Sequence, residues 1–264
     1  MRQALIQMLH QVARQEILPR YQRVAYERKA DGSLFTAADL ATQTALGQLL
    51  PTLMPAPLLG EEMSAEEQQQ LWVAHEYLWC VDPIDGTSNF VHGIPYFAIS
   101  VALLQNGRPI LGAVYDPLSQ ETFSAATTQG AWMNERRLYS PSAPPDLAQA
   151  IASVDLKRLP RFLAMALVTH PPYASQRNFG ACSLEWCHVA AGRFNLYLHG
   201  GQKLWDYAAG ALILEEAGGA YRSLEQENFW SGESWTRSVI AAGNPALFDL
   251  WQRWLSQERL AHSG

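Results

Sequence analysis

The stretch CVDPIDGTSNF, Cys80 to Phe90, sets two acids, Asp82 and Asp85, three residues apart across Pro83, and Asp85 runs straight into Gly86 and Thr87. Asp-Pro and Asp-Gly are ordinary turn dipeptides, because Asp bonds its own backbone, Pro presets φ and Gly accepts positive φ. A turn therefore accounts for the stretch on its own. It is what such dipeptides usually mark, and a gathering of charge for chemistry is the rarer reading that only the rest of the chain can favour.

The apolar run YLWCV leads directly into this stretch and reads as a strand. Beyond it, YFAISVALLQ, PILGAVYDP and ETFSAATTQGAWM carry the clearest β signal, with Asn106-Gly107 as a hairpin turn between the first two. They predict an antiparallel meander. Before it, Leu5, Leu9, Val12 and Ile17 space as one face of an opening helix that Pro19 ends or kinks, and TAADLATQTALGQLL starts with a capping-box pattern at Thr36 and Asp39. EEQQQLWVAHE reads as a solvated stretch. In the second half CSLEWCHVAAG, WDYAAGALILEEAGG and NPALFDLWQRWL are helix-like, the middle one closing on Gly218-Gly219. RFNLYLHG and RSVIAAG read as short strands between them.

The 264 residues suffice for a large buried core, taken as a single domain over 1–264 with SPSAPPDLAQ, within 140–149, as a plausible seam between halves. An apolar fraction of 48% and a charged fraction of 17% are globular values. A net charge of −6, with basic residues scattered as in ERK and LKRLPR, gives no footprint for nucleic acid. Cys80, Cys182 and Cys187 form neither a disulfide framework nor a CxxC zinc pattern, which suits a reducing compartment. The opening MRQALIQMLHQVARQEILPRY lacks the unbroken apolar core of a signal peptide, and no run of eighteen apolar residues occurs. A soluble, cytoplasmic protein with no membrane or nucleic-acid partner is the expectation.

Acids recur at the ends of apolar runs: Glu61-Glu62 after PLLG, Asp82 and Asp85 after YLWCV, Asp206 after QKLW. A carboxylate buried there is costly unless it is paired or coordinates a cation. The set is all oxygen, which favours Mg2+ or Mn2+ over zinc. Taken singly, Asp206 also reads as a helix cap and Glu61-Glu62 as a solvated turn. Three such clusters together are harder to explain that way.

GEE, DPIDGTSNF and WDYAAGALILEEAGG resemble, in order and spacing, the three signatures of the inositol monophosphatase family. The likeness extends to KADGSLFTAAD, to the hairpin strands and to RNFGACSLEWCHVAAG, and so covers nearly the whole chain. It implies a layered α-β-α-β-α sandwich, with the antiparallel meander in its first half, and magnesium-dependent, lithium-sensitive hydrolysis of small phosphate monoesters. It implies two or three Mg2+ ions, for which Mn2+ can substitute, and a homodimer. One ion would be held by Glu61, Asp82 and the backbone carbonyl of Ile84, another by Asp82, Asp85 and Asp206, and a third, weaker one would lean on Glu61.

The chemistry needs these groups, since a dianionic phosphate monoester repels nucleophiles until cations neutralise it and acidify the attacking water. In the family, a threonine at the Thr87 position, bonded to an acid matching Asp39, orients that water together with the Glu61 carboxylate. Asp39 thus reads both as a capping acid and as the partner of Thr87. The N–H groups of Gly86 and Thr87 meet phosphate oxygens if a helix starts there. RKADGSLF matches the family's mobile loop at the site, where a lysine is common; Lys29, or Arg28 on an offset of one, is the candidate, and a solvated loop cation is the other reading.

His199, seven positions before Asp206, stands where inositol-specific members carry a glutamate that accepts bonds from ring hydroxyls. Imidazole accepts at most one such bond. If His199 faces the leaving group, a broad or non-inositol preference follows, toward substrates bringing a second phosphate or a carboxylate; if it only sits at a strand end, nothing follows. Inositol monophosphate or a related polyol or sugar phosphate is the expected substrate. The alternatives are a 3′-phosphoadenosine phosphate or histidinol phosphate phosphatase, and an interaction protein that uses the same fold to bind a partner.

Overall fold

Along Tyr77–Asp85 the side chains of Leu78 and Cys80 pack into one apolar cluster and those of Trp79 and Val81 into another, the period-two signature of a strand buried on both faces. The computed structural model describes residues 1–23, 25–29, 34–142, 146–225, 228–231 and 235–261.

The chain opens with α1 (Arg2–Val12), extended by a π-helical turn, then β1 (Tyr26–Arg28), β2 (Leu34–Thr36) and α2 (Ala37–Leu49). Next come β3 (Leu58–Gly60), α3 (Ala65–Ala74), β4 (Tyr77–Asp85) and α4 (Thr87–His92). The strands β5 (Ala98–Gln105), β6 (Arg108–Asp116), β7 (Glu121–Ala126), β8 (Gly130–Met133) and β9 (Arg136–Leu138) complete the first half. The second comprises β10 (Ile151–Asp155), α5 (Arg161–Thr169), β11 (Ser175–Arg177), α6 (Cys182–Ala190), β12 (Leu196–Lys203), α7 (Leu204–Glu216), β13 (Ala220–Arg222), β14 (Thr236–Ala242) and α8 (Pro245–Ala261).

Strands β3 to β9 form one sheet in sequence order, antiparallel except for the β3–β4 pair. A second sheet has the order β11-β10-β12-β14-β13, with β10 parallel to both its neighbours. Asn106 and Gly107 join β5 to β6 with positive φ at both residues (50° and 75°), the type I′ geometry that matches strand twist.

Three apolar clusters stack these elements into layers. Leu5, Leu9 and Val12 of α1 and Leu46 of α2 meet Trp79, Val81, Ile99 and Val101 on one face of the first sheet. Its other face, with Cys80, Ala102 and Phe123, packs on Leu184 and Trp186 of α6 and on α7, which in turn reach Tyr197 and Val239 of the second sheet. The far face of that sheet, through Val154, Leu198 and Ile240, carries Leu163 of α5 and Trp251 of α8. The order is the expected α-β-α-β-α.

The two helices of the central layer, α6 and α7, pack on each other at a glycine. A Cβ at Gly210 of α7 would lie 2.4 Å from the Trp186 Cβ, so α6 and α7 approach closely only through a bare backbone. That contact holds the start of α7, and Asp206 with it, between the two sheets.

Some elements differ from the sequence reading. EEQQQLWVAHE contains α3, whose capping box pairs Ser64 with Glu67; only Gln68 of this helix is buried, so no apolar stripe announced it. ETFSAATTQGAWM is two strands, β7 and β8, and RRL adds β9. Segment 140–149 lies between β9 and β10, hence between the sheets, with 143–145 outside the described residues; ADGS in the RKADGSLF loop, residues 30–33, is outside them as well. Among the described residues no helix is long and apolar enough to cross a membrane.

Candidate active site

Strand β4 ends in the acids. Alternation puts Asp82 on the face of Leu78 and Cys80, toward the central layer. Pro83 donates no ladder bond, and the register with β5 breaks there: Asp82 pairs with Ser100 and Asp85 with Ala98. The extra residue re-aims the chain, and Asp206 at the start of α7 meets it. One carboxylate oxygen from each of Asp82, Asp85 and Asp206 lies within 4.8 Å of the others.

Each acid has backbone support. The Asp82 Oδ1 accepts from Ile84 N–H at 3.1 Å. Asp85 is held by the start of α6, its Oδ1 accepting from Cys182 N–H at 3.1 Å and its Oδ2 from Ser183 N–H at 2.7 Å and Ser183 Oγ at 2.5 Å. Asp206 Oδ2 accepts from Lys203 N–H at 2.8 Å, so this acid does serve its helix as a cap from within the first turn.

Asp39 caps α2 and also lies beside Thr87. Its Oδ2 accepts from Thr36 N–H at 2.8 Å and Thr36 Oγ1 at 2.6 Å, while its Oδ1 lies 3.4 Å from Thr87 Oγ1. The Thr87 hydroxyl is nearer to the Ile84 carbonyl, at 2.9 Å, and has one hydrogen to give. Gly86 and Thr87 stand at the N-terminus of the short helix α4.

Glu61 and Glu62 follow β3 on a half-buried turn. Gln68 Nε2 donates to Gly60 O at 2.9 Å and Glu62 N–H to Gln43 Oε1 at 3.2 Å, which ties this β3–α3 turn to a side chain from each of α2 and α3. Lys29 Nζ bridges Glu61 Oε1 at 2.9 Å and Glu62 Oε1 at 2.7 Å. Arg28 lines the acid cavity itself, of about 630 Å³, together with Glu61, Asp82, Asp85, Thr87 and Asp206, and Lys29 lines the adjoining one.

The electrostatics follow from this crowding. Burial first, then the charges of Glu61, Asp85 and Asp206, push the Asp82 carboxyl well up. Asp206 is raised by burial and then by Asp85 and Glu61. Asp85 goes to about 6 through burial, with the Ser183 and Cys182 donors pulling the other way. Burial also takes Asp39 to about 6 and Glu62 to about 7, the latter against Lys29. The Lys29 ammonium is disfavoured by burial, yet Glu61 and Glu62 outweigh that and raise it.

His199 is buried on β12, where both ring nitrogens are engaged within the protein. Nδ1 accepts from Gly201 N–H at 3.1 Å, which leaves the proton on Nε2, 3.5 Å from Asp155 Oδ2 and 3.8 Å from Cys182 Sγ. A ring so committed has no acceptor left for a sugar hydroxyl.

Several residues at the site went unread in the sequence. Ser183 sits unremarked at the start of a helix-like run, and its only signal is the preference of helix N-termini for anions. Lys157, Arg158 and Lys203 also line the acid cavity.

The chain matches the model of the inositol monophosphatase family over residues 1–262. It is 36% identical over 196 residues to the inositol-1-monophosphatase of Bacillus subtilis, covering 72% of this chain and 71% of that one. It is 36% identical over 215 residues to Nus factor SuhB of Pseudomonas aeruginosa, covering 79% and 77%. The crystal structure of an IMPase/NADP phosphatase complexed with Mg2+ and phosphate superposes with a TM-score of 0.79 at 25% identity, over 98% of this chain and 93% of that one.

Proposed function

This chain belongs to the inositol monophosphatase family, and we propose that it hydrolyses phosphate monoesters of small polyols or sugars with Mg2+ as cofactor. The observation that carries the reading is the convergence of Asp82, Asp85 and Asp206 within 4.8 Å. Among the described residues no Lys or Arg is ion-paired to any of the three. Hard oxygen donors with unbalanced charge in a buried place fit Mg2+, or Mn2+ in its stead. Asp82, Asp85 and Asp206 would hold one ion, and Asp82 with Glu61 and the Ile84 carbonyl a second. That carbonyl has a lone pair beyond the one Thr87 uses, and a third ion would lean on Glu61.

Bound magnesium neutralises phosphoryl oxygens and lowers the pKa of a water. The protein's own part is positioning. Thr87 gives its hydrogen to Ile84 O or Asp39 and turns a lone pair toward the attacking water, which the Glu61 carboxylate holds from the other side. The N–H groups of Gly86 and Thr87 have no partner inside α4 and meet the phosphate. Lys29 keeps Glu61 and Glu62 in place from the loop side.

Inositol 1-phosphate is the first substrate to try, in keeping with the Bacillus subtilis relative's name. A second reading, that the fold also binds a protein partner, draws on the relative named Nus factor SuhB. Phosphate release from inositol 1-phosphate, sugar phosphates, 3′-phosphoadenosine phosphate and histidinol phosphate, in Mg2+ and in EDTA, tests the first. Full turnover in EDTA would overturn the cofactor, and silence on every ester in Mg2+ would leave only the binding reading.

A further inference from the structure

The two sheets give the cavity walls of opposite sign. Asp82 and Asp85 come from the end of β4 in the first sheet. The second sheet contributes Lys157 and Arg158, on the turn after β10, and Lys203 at the end of β12. All three cations are exposed, and none forms an ion pair among the described residues. In a chain with 19 basic residues against 25 acidic ones, three unpaired cations around one cavity depart from the average surface.

The turn that carries Lys157 and Arg158 is held rigidly from below. Asp155 Oδ1 accepts from Lys157 N–H at 3.2 Å, and its Oδ2 faces His199 Nε2 at 3.5 Å, across the parallel register of β10 and β12. Gly200, next to His199, lies against the Arg158 carbonyl so closely that a Cβ would come within 1.7 Å of that oxygen. Leu159 anchors the far end in the apolar layer beneath. The backbone is fixed, then, while the cationic side chains reach into the cavity. The phosphoryl group to be cleaved is accounted for at the acids and at Gly86 and Thr87. The basic wall is left for another part of the substrate.

We propose that Lys157 and Arg158, with Lys203, form a subsite for a second anionic group on the leaving group. The preferred substrate is therefore a phosphate monoester that also carries another phosphate or a carboxylate. The inference rests on the phosphatase reading above. It assigns His199 and Asp155 as positioning residues for the turn, and it places charge selection on cations, with no part for the imidazole.

The test compares kcat/KM for fructose 1,6-bisphosphate with fructose 1-phosphate, and for 3-phosphoglycerate with glycerol 3-phosphate, at saturating Mg2+. The wild type is expected to favour the doubly anionic member of at least one pair by about tenfold, the worth of one good charge-assisted contact. Preference in the first pair alone identifies a second phosphate, in the second pair alone a carboxylate, and in both a subsite that reads charge. Lys157→Glu should bring the ratio to about one or below while kcat/KM for fructose 1-phosphate moves less than roughly threefold. Asp155→Ala should lower the ratio, and Asp155→Asn, which keeps an acceptor for Lys157 N–H, should retain it. A wild-type ratio of one in both pairs, or a ratio unmoved by Lys157→Glu, overturns the subsite and leaves the phosphatase standing. Absence of turnover on every ester overturns both.

Discussion

Ser183 donates twice to the same oxygen of Asp85, from its backbone N–H at 2.7 Å and from its hydroxyl at 2.5 Å. The first turn of α6 thereby sets the orientation of an acid that lies nearly a hundred residues earlier in the chain. Ser183→Ala keeps the backbone bond and loses the hydroxyl. Apparent Mg2+ affinity is expected to weaken by about tenfold, the usual cost of removing a partner that orients a ligand. A Mg2+ titration of activity that is unchanged in the variant would show that the hydroxyl is dispensable.

Asp82→Asn separates function from stability. Asp82 sits between Glu61, Asp85 and Asp206, and its charge is repelled by all three. Turnover should fall by at least about a hundredfold. In EDTA the same variant should melt higher, by about 2–4 °C for each kcal/mol of repulsion relieved. Added Mg2+ should then shift its Tm less than it shifts the wild type.

The pH dependence of the metal-free protein follows in sign. Asp85 and Asp39 are raised to about 6 and Glu62 to about 7, with Asp82 and Asp206 raised well up. Between the ordinary carboxylate range and these values the folded chain binds more protons than the unfolded chain. Stability therefore falls as pH rises from about 4 to about 7. Mg2+ competes with those protons, so its stabilising effect should grow over the same window. Melting curves at half-unit pH steps, in EDTA and in Mg2+, check both trends, and a metal-free Tm that climbs through this range would contradict them.

Thr87 and Lys29 should separate kinetically. Thr87→Ala removes the hydroxyl that lies between Ile84 O and Asp39, and kcat should drop by roughly a hundredfold with little change in KM. Lys29→Ala only releases Glu61 and Glu62 from an ion pair at the cavity edge, and its cost should stay below about tenfold. Steady-state kinetics on one ester in both variants decides the order.

His199→Glu should not confer inositol selectivity. It would set a second carboxylate against Asp155, where Nε2 now lies 3.5 Å from Oδ2. The variant should melt several degrees lower, and Asp155→Asn added to it should recover most of the loss, a coupling that a double-mutant cycle measures. Equal Tm values for wild type and His199→Glu would argue that the pair carries no weight.

The layering was legible because it rests on local pattern. The meander follows from alternation and from Asn106-Gly107, and α7 from a run ending at Gly218. The acids were legible for the same reason, each closing an apolar run. What escaped depends on pairing between distant segments. ERK and LKRLPR read as scattered charge, yet the fold brings Arg28, Lys157 and Arg158 to one cavity. Nothing near His199 signals Asp155, since parallel register is set by packing of α5 and α6 and by no turn between the two strands. Helix α3 escaped because Gln68, a polar residue, is what it buries.

The two opposed walls of the cavity divide labour along the chain. The proposed hydrolysis draws on residues up to Thr87, with Asp206 as the one metal ligand proposed from beyond, and the basic turn follows β10, in the other sheet. Substitutions of the side chains at Lys157 and Arg158 can therefore change the charge of that wall while every acid stays in place. A lineage built this way can exchange one clientele for another while inheriting its chemistry intact, and the three residues from Leu156 to Arg158 are where such descent would leave its record.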